Sequence, residues 1–454
     1  MGSKDLEALN RPRDSRELIV DKMVEDLDFA IANLSSTKSA YEVTKWTAMA
    51  LKSRILLFEG TFRKYHAGDP TLATLPADAK NYKWYLDECA KVSAEFIQTS
   101  GYGLHSGNVN TSYHELFTTM NATDLMDEVV LARDYNKAYG AIHSSGNTMT
   151  VGSMGCPAMT RKLVASYLMK DGSRFTDKEG WETMQFQQET QDRDPRLAQS
   201  IRTPGYKRMG EETPTAPDLK VSFTGYHPDK YVTTTDQDTY NNSDIDLIIF
   251  RAAEVMLNYA EAAEELGMLT QDIWDKTIGQ LRKVHGGISS SPFPGSGSYR
   301  KDNWLRDYYT KDVMHPATLS DAALEIRRER ATELMFEEGH RYDDLMRWNM
   351  GDILERRYNH IGWRGIYISQ EEAKSGFDFA GKHYTVSTAK ATSETNYKIT
   401  KAADKNYTLS NGSYGYLIYN YKLQWDEKMY LYPIPTTAAN VNPNLGQNEG
   451  WQWN

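Results

Sequence analysis

Cysteine is scarce in this sequence, which has only Cys89 and Cys156 among its 454 residues. Two cysteines cannot build a disulfide framework, and without a histidine cluster beside them they do not form a zinc site. We therefore expect both to be buried free thiols. Long apolar runs are lacking too, and without a stretch of about 18 apolar residues no transmembrane helix is predicted.

An excess of positive charge is also lacking. The chain has 62 acidic and 52 basic residues, a formal net charge of −10, and no run of lysine or arginine is longer than two residues. Phosphate backbones and anionic membrane surfaces attract basic protein surfaces. The sequence therefore argues against nucleic acid and against an anionic membrane surface as partners.

The common catalytic patterns are missing. The sequence has no glycine-rich phosphate loop, no GxGxxG after a strand, no GxSxG elbow and no HExxH zinc pattern. Its ten histidines include no pair at i, i+4 spacing, so a helical metal pair is not expected. Two carboxylates from distant parts of the chain could still meet, which keeps a glycoside hydrolase open as an alternative function.

Oxygen-rich side chains concentrate at 236–246, which contains four aspartates and two asparagines. Calcium takes six to eight oxygen ligands, and this segment could supply several of them. It lacks the glycine and the final glutamate of an EF-hand loop, and acidic residues also suit the start of the helix that follows. We expect no cofactor, with calcium as a minor alternative to a solvated turn.

Aromatic residues with a polar group are abundant. Tyrosine and tryptophan number 29 and 10, against 13 phenylalanines. Such rings suit half-wet surfaces better than dry cores. The excess therefore indicates aromatic surface beyond what a core requires.

Helical periodicity predicts a mainly α protein. Apolar residues recur at a 3.6-residue spacing, and capping or stop signals flank several segments. The predicted helices are 14–34, 44–58, 82–98, 157–169, 249–266, 271–284, 320–338 and 341–348. Small residues in the hairpin 249–284 are typical of tetratricopeptide-type repeats, although a generic pair of antiparallel helices explains them as well.

Between these helices the sequence has little helical periodicity. A β-prone piece occurs at 128–132, and glycine, asparagine and serine at 140–155 predict a long surface loop. Residues 286–318 form an insertion rich in glycine, serine, proline and aromatics, and the last hundred residues read mostly as loops with short strands. These segments are the natural places for a functional site.

Three segments in the second half carry a family pattern. They are 250–262 (FRAAEVMLNYAEA), 326–348 (IRRERATELMFEEGHRYDDLMRW), and 432–435 (YPIP) followed by 442–451 (NPNLGQNEGW). In this order they closely resemble the SusD/RagB family of nutrient-binding outer-membrane lipoproteins. The resemblance covers almost the whole chain.

The resemblance implies a single SusD-like unit over 1–454, an α/α superhelix of tetratricopeptide-like hairpins with loop-rich, partly β excursions. Its scaffold would be 14–100 and 245–350. The ligand-facing segments would be 101–244 and 286–318, and 351–454 would be the C-terminal SusD-type segment. Family members begin with a lipoprotein signal, a lipid-modified cysteine and a further stretch, so we expect an N-terminally truncated chain that is itself soluble. Its full precursor would be lipid-anchored on the extracellular face of the outer membrane.

The family motifs themselves are expected to be scaffold. We interpret 326–348 as a helical hairpin held by alternating charges, with Arg341 and Trp348 packing its turn. In the third motif, prolines fix an extended chain because they lock φ, and the polar residues at 442–447 hydrogen-bond exposed backbone.

In function, the resemblance implies non-catalytic capture of an oligosaccharide or polysaccharide and its delivery to a SusC-like TonB-dependent transporter. A peptide-binding member of the same family is an alternative. Aromatic platforms would bury the apolar faces of sugar rings while polar side chains bond the hydroxyls. We place the site first in the 133–147 loop, with further candidates elsewhere. The candidates are Tyr135, Asn136, Tyr139 and His143, and then Trp181, Tyr226, Tyr299 and Trp304.

Overall fold

Helices dominate the computed structural model of this chain, in which they account for 45% of residues against 8% for strands. The mainly α prediction is therefore confirmed, whereas the tetratricopeptide-like hairpin and the single unit over 1–454 stay predictions. The structure describes residues 10–69, 75–76, 78–154, 157–218, 221–311, 313–355, 363–379, 382–387, 398–400, 407–419 and 423–453.

The α-helices of the described residues are numbered in chain order. The first half contains α1 Arg16–Asn33, α2 Lys45–Tyr65, α3 Tyr82–Thr99, α4 Ser112–Glu115, α5 Ser145–Thr150, α6 Arg161–Ser166, α7 Phe186–Glu189 and α8 Pro195–Ala198. The second half contains α9 Ala252–Glu265, α10 Gln271–Lys276, α11 Ile278–Val284, α12 Asn303–Thr310, α13 Asp321–Glu333, α14 His340–Arg347, α15 Gln370–Ser375 and α16 Thr436–Val441.

The strands form three small sheets. They are β1 Val129–Arg133, β2 Leu247–Arg251, β3 Trp363–Ile368, β4 Phe377–Phe379, β5 Lys382–Ser387, β6 Lys398–Thr400, β7 Tyr407–Leu409 and β8 Gly415–Tyr419. β1 and β2 pair antiparallel, β8 lies between β3 and β7, and β5 lies between β4 and β6. Short 3-10 helices at Trp181–Thr183 and Thr235–Asp238 matter for the sites described below.

The N-terminal helices form where the sequence predicted them. Ser15, Thr44 and Asn81 cap α1, α2 and α3 by accepting hydrogen bonds from backbone N–H groups of the first turn. The helix predicted to begin at residue 14 thus begins at Arg16, with Ser15 as its cap. Cys89 is fully buried in the core of these helices, as expected, while Cys156 lies outside the described residues.

Other predicted helix bounds were wrong. The apolar start of the predicted helix 249–266 is strand β2, because it pairs with β1 at Val129 and Arg251 before α9 begins. The predicted helix 271–284 is broken at Thr277, whose backbone leaves helical geometry (φ −121°, ψ −93°). The predicted surface loop 140–155 contains the short helix α5.

Two further helices are shorter than predicted. The helix expected over 157–169 is α6, six residues long, and the one expected over 320–338 is α13, capped by Ser320 and ending at Glu333. Phe336 and Glu338 adopt φ of 60° and 42°, a left-handed conformation that a helix cannot contain. The family motif therefore turns sharply between α13 and α14.

The predicted charge lattice exists, but its partners come from distant parts of the chain. Glu333 at the end of α13 is fully buried and accepts from Arg196 and Arg251, each at 2.6 Å. Arg330 pairs with Asp344 of α14 at 2.9 Å. These buried pairs join α13 to α8, β2 and α14, so the motif is scaffold as expected.

The C-terminal motif holds the start of the chain. The Asn442 and Asn444 side chains donate to the backbone carbonyls of Arg11 and Asn10 at 2.8 and 2.7 Å. The Gln447 side chain bonds both backbone groups of Ile434. The prediction that these polar residues bond exposed backbone is confirmed. Among the described residues, no helix is both long enough and apolar enough to span a membrane.

Candidate ligand-binding site

A cavity of about 290 Å³ lies where six parts of the chain meet. Its walls come from the start of α6, the 3-10 helix Trp181–Thr183, α12, α14 with the residues after it, β3 and β8. The lining residues are Thr160, Arg161, Lys162, Trp181, Glu182, Trp304, Tyr308, Arg341, Leu345, Ile353, Leu354, Arg364 and Tyr416. Two of the sequence candidates, Trp181 and Trp304, are thereby brought together.

Three half-buried aromatic rings form one wall of the cavity. The rings of Trp181 and Trp304 lie 6.0 Å apart, centroid to centroid, at 85°. The ring of Tyr308 follows 5.6 Å from Trp304 and is tilted by only 34°. Aromatic faces of this kind bury the apolar face of a flat ligand. The wall therefore suits a ring-shaped ligand with both apolar and polar edges.

Helix α12 holds two of these rings in register. Trp304 and Tyr308 are four residues apart and so lie on one helical face, while Leu305 and Tyr309 beside them are buried in the core. The side chain of Asp302 caps the helix by accepting from the Leu305 N–H at 2.8 Å. Cap and core anchors together fix the direction in which the two rings point.

Tyr416 on β8 also lines the cavity and has two guanidinium groups over its ring. The Cζ atoms of Arg364 and Arg161 lie 4.7 and 5.3 Å from its ring centroid. Its hydroxyl donates to the backbone carbonyl of Glu182. Tyr416 thus links β3, β8, α6 and the turn that carries Trp181.

Arg161 is positioned by a buried network behind the cavity. Its Nη1 lies 2.7 Å from Glu189 and donates to the Tyr226 hydroxyl at 3.1 Å, and Nη2 donates to the carbonyl of Trp181 at 3.0 Å. Burial lowers the pKa of Arg161, but Tyr226 and Glu189 beside it raise the pKa above its ordinary value overall. The guanidinium therefore stays charged at the cavity wall.

Tyr226 itself does not reach the cavity surface, which corrects its prediction as a ligand contact. The side chain is fully buried, and its hydroxyl donates to Glu189 at 2.7 Å. The aromatic ring packs against Phe186 in the core instead. Tyr226 supports the site through Arg161 and has no face open to a ligand.

Two further cations surround Tyr308. Lys162 Nζ lies 5.6 Å from its ring centroid, and Arg341 Nη2 donates to its hydroxyl at 3.3 Å. Arg341 Nη1 and Arg161 Nε are buried and have no hydrogen-bond partner among the described residues. A buried donor without an acceptor is costly, so both favour an acceptor oxygen in the cavity. Arg341 was expected only to pack a turn, and its place in this lining is a difference from that expectation.

The candidates of the 133–147 loop lie together on another surface. The rings of Tyr135 and His143 are 4.3 Å apart, and His143 Nε2 bonds the Ile245 carbonyl at 2.9 Å. Asn136 caps a 3-10 turn, and Tyr139 at its end is 87% exposed. None of the four lines the cavity, so their role as ligand contacts stays a prediction.

Tyr299 lies in a smaller cleft of about 150 Å³ beside Arg174 and Arg300. Its hydroxyl donates to Glu325 at 3.0 Å, and the Cζ of Arg174 lies 5.3 Å from its ring centroid. Glu325 and Arg174 therefore position the ring of Tyr299, which does not belong to the aromatic wall. Its prediction as a ligand contact remains untested.

Three of the four aspartates in the segment suggested for calcium pair with basic side chains. Lys137 Nζ lies 3.3 Å from Asp236 and 3.6 Å from Asp244, and Arg208 pairs with Asp238. A calcium ion would have to displace these partners to reach the carboxylate oxygens. The arrangement supports the interpretation as a solvated turn.

A second group with metal-ligand chemistry is Glu128, His285 and Glu333, all fully buried. His285 bonds Glu333 at 2.8 Å through Nδ1 and Glu128 at 3.0 Å through Nε2. Burial lowers the pKa of His285, but the two carboxylates raise it overall to about 9. Arg251 also donates to both carboxylates. The imidazolium and the guanidinium therefore take the place that a metal ion would need.

Sequence reasoning missed most of the polar lining. Arg161, Lys162, Arg364 and Tyr416 belong to segments that meet only in the folded chain. Tyr308 did carry a signal, since it follows Trp304 at helical spacing, but the surrounding glycine- and proline-rich insertion concealed the helix.

An aromatic cavity with a few polar groups is typical of ligand-binding sites in proteins. Residues 120–451 match the model of the SusD family, and the chain belongs to that family. The family is one of non-catalytic surface lipoproteins and includes carbohydrate-binding members, which places this chain with binding proteins and not with enzymes. A comparison with curated proteins found no match.

Solved structures share the fold at low sequence identity. A SusD-like protein from Bacteroides fragilis matches with a TM-score of 0.58 and 20% identity, over 97% of this chain and 72% of that one. A SusD-like carbohydrate-binding protein from the same organism matches with a TM-score of 0.62 and 21% identity, over 98% and 74%. A structure containing a xylogluco-oligosaccharide matches with a TM-score of 0.56 and 16% identity, over 98% and 75%.

Proposed function

We propose that this chain captures an oligosaccharide or polysaccharide in the cavity between Trp181, Trp304, Tyr308 and Tyr416. It would do so at the outer-membrane surface and deliver the ligand, uncleaved, to a SusC-like TonB-dependent transporter. The observation that carries the proposal is the aromatic wall facing guanidinium donors in a chain of the SusD family.

The chemistry of the lining supports saccharide binding. A sugar ring presents apolar C–H faces and a rim of hydroxyl groups. The rings of Trp304 and Tyr308, 5.6 Å apart and nearly aligned, offer a platform for such a face. The guanidinium groups of Arg161 and Arg341 offer donors to hydroxyl oxygens at the rim. Relatives that bind carbohydrate or contain a xylogluco-oligosaccharide support the same ligand class.

A glycoside hydrolase fits the lining less well. Hydrolysis requires two carboxyl groups on either side of the scissile bond. Glu182 is the acidic side chain of the lining, and the neighbouring Glu189 is fully buried and paired with Arg161 at 2.7 Å. The described lining thus offers one carboxylate to a bound ligand, where the reaction needs two.

Binding calorimetry with a panel of oligosaccharides and peptides tests the proposal. Trp304→Ala should weaken saccharide binding by about 1–3 kcal/mol, because it removes the central ring of the wall. Phe29→Ala is a matched control, since Phe29 is 71% exposed and lies on α1 outside the cavity. Chromatography of the ligand after incubation should show no shorter products.

Four results would contradict parts of the proposal. Equal affinity of Trp304→Ala and the wild type would show that the ligand does not bind in this cavity. A loss of affinity in Tyr139→Ala would place the binding site in the 133–147 loop. Peptide binding without saccharide binding would favour the peptide alternative. Shorter saccharide products would restore the hydrolase.

A further inference from the structure

The cavity has a charge opposite to that of the chain as a whole. The protein has a formal net charge of −10, yet the lining contains four basic residues and one acidic residue. The basic residues are Arg161, Lys162, Arg341 and Arg364, and the acidic one is Glu182. Even when Glu189 behind Arg161 is counted, the cations outnumber the carboxylates by two. A basic pocket on an acidic protein indicates that the pocket prefers ligands of negative charge.

Three of the four cations lie near aromatic rings of the cavity. Arg161 and Arg364 lie within 5.3 Å of the ring centroid of Tyr416, and Lys162 lies 5.6 Å from the ring of Tyr308. Stacking on a ring fixes the plane of a guanidinium, and Arg161 Nε is buried without a hydrogen-bond partner among the described residues. Arginine N–H groups form charge-assisted hydrogen bonds with the oxygens of a carboxylate or sulfate.

Arg161 and Arg364 repel each other because both lie over the ring of Tyr416. Burial lowers the pKa of Arg364, and the charge of Arg161 lowers the pKa further, whereas Tyr416 acts in the opposite direction. Like charges brought together in a partly desolvated site repel each other. An anionic group between the two guanidiniums would remove this repulsion, and a neutral hydroxyl would not.

Resting on the proposed function, we propose that the preferred ligand of this cavity is an acidic saccharide, with a carboxylate or sulfate held between Arg161 and Arg364 while a ring stacks on Trp304 and Tyr308. Neutral saccharides would use the same rings and lack the ionic contact. A guanidinium group recognises the oxygens of a carboxylate and of a sulfate alike, so the test must distinguish the two anions.

Calorimetry with matched pairs of ligands gives that test. Tetragalacturonate is compared with its methyl ester, and a κ-carrageenan tetrasaccharide with its desulfated form, so that each pair keeps the sugar chain and differs at the charged groups. A xyloglucan oligosaccharide serves as the neutral reference. At low salt, at least one acidic ligand should bind about tenfold or more tightly than its uncharged counterpart, and added salt should reduce this preference. The pair that shows it identifies the anion.

Variants then assign the preference to the cavity. Arg364→Gln and Lys162→Gln should each weaken the acidic ligand about tenfold and leave the neutral one nearly unchanged. Arg133→Gln is the matched control, because Arg133 is an exposed arginine that also lies over a tyrosine, Tyr135, but outside the cavity. Thermal unfolding of each variant checks that it folds.

The outcomes separate the two proposals. Equal binding of charged and uncharged ligands, or full affinity of Arg364→Gln for the acidic ligand, would overturn the acidic preference and leave saccharide capture standing if Trp304→Ala still weakens saccharide binding. Loss of acidic binding in Arg133→Gln would also overturn it, because the anion would then lie elsewhere. Absence of any binding that depends on Trp304 would overturn both proposals.

Discussion

His285 and Glu333 form a hydrogen bond of 2.8 Å between two fully buried side chains. The imidazole also bonds Glu128 at 3.0 Å, so one ring joins α11, α13 and the start of β1. Because both partners are carboxylates, the cationic form of the ring is the stable one. This contact makes the packing of the scaffold depend on a proton.

The stability of the protein should therefore fall at alkaline pH. Folded His285 keeps its proton up to a pKa of about 9, whereas the unfolded chain releases it near 6.5. Between these values the native state binds more protons, so the free energy of unfolding decreases as pH rises, by about 3 kcal/mol in total. The contribution is complete below pH 6.5 and is lost above 9.

Urea denaturation of the wild type and His285→Gln at pH 6.5 and 9 checks this expectation. The variant should be less stable at pH 6.5, and the difference between the two proteins should shrink at pH 9. Taking the difference removes the opposite trend of buried Lys230, whose pKa burial lowers to about 8. His315→Gln, at an exposed histidine, should follow the wild type. A constant difference across the range would show that His285 is neutral.

The helical scaffold was largely predictable because its signals are local. Caps such as Ser15, Thr44 and Ser320 directly precede runs of helical periodicity, and the structure places helices there. The errors arose where tertiary pairing overrides a local pattern. The run 247–251 is as apolar as the helix after it, and only its partner β1, more than a hundred residues earlier, makes it a strand.

The candidate site was predictable only in part. Trp181 and Trp304 could be selected as large aromatics in irregular segments. No local pattern connects Arg161 with Tyr416, which is brought to the cavity by the pairing of β8 with β3. Burial likewise depends on the assembled core, so the sequence could not show that Tyr226 is buried and Tyr139 exposed.

Gly365 should be intolerant of any side chain. A Cβ at this position would lie 2.0 Å from the carbonyl oxygen of Thr224, which also accepts from the Ile366 N–H at 2.9 Å. Gly365→Ala must push β3 away from this segment and move Arg364 with it. We expect a loss of about 1–3 kcal/mol in the free energy of unfolding, measured by denaturation, together with weaker ligand binding.

Gly297→Ala provides the control for this prediction. No atom lies within 4 Å of the Cβ it would add, so its free energy of unfolding should change by less than about 0.5 kcal/mol. Wild-type stability of Gly365→Ala would mean that β3 is not held against Thr224 in solution.

Two variants of Tyr416 distinguish the contribution of its ring to binding from that of its hydroxyl. Tyr416→Phe keeps the ring beneath Arg161 and Arg364 and loses one hydrogen bond to the Glu182 carbonyl, so saccharide binding should weaken by about 1 kcal/mol or less. Tyr416→Ala removes the surface on which both guanidiniums rest and should cost about 2 kcal/mol or more.

Calorimetry of both variants measures the difference, with Tyr240→Ala as the control, because Tyr240 is 69% exposed and does not line the cavity. Equal losses in the Phe and Ala variants would assign the effect to the hydroxyl and to the turn at Glu182. A loss confined to Tyr416→Ala would show that the ring orients the two arginines, since only that variant leaves them without a common support.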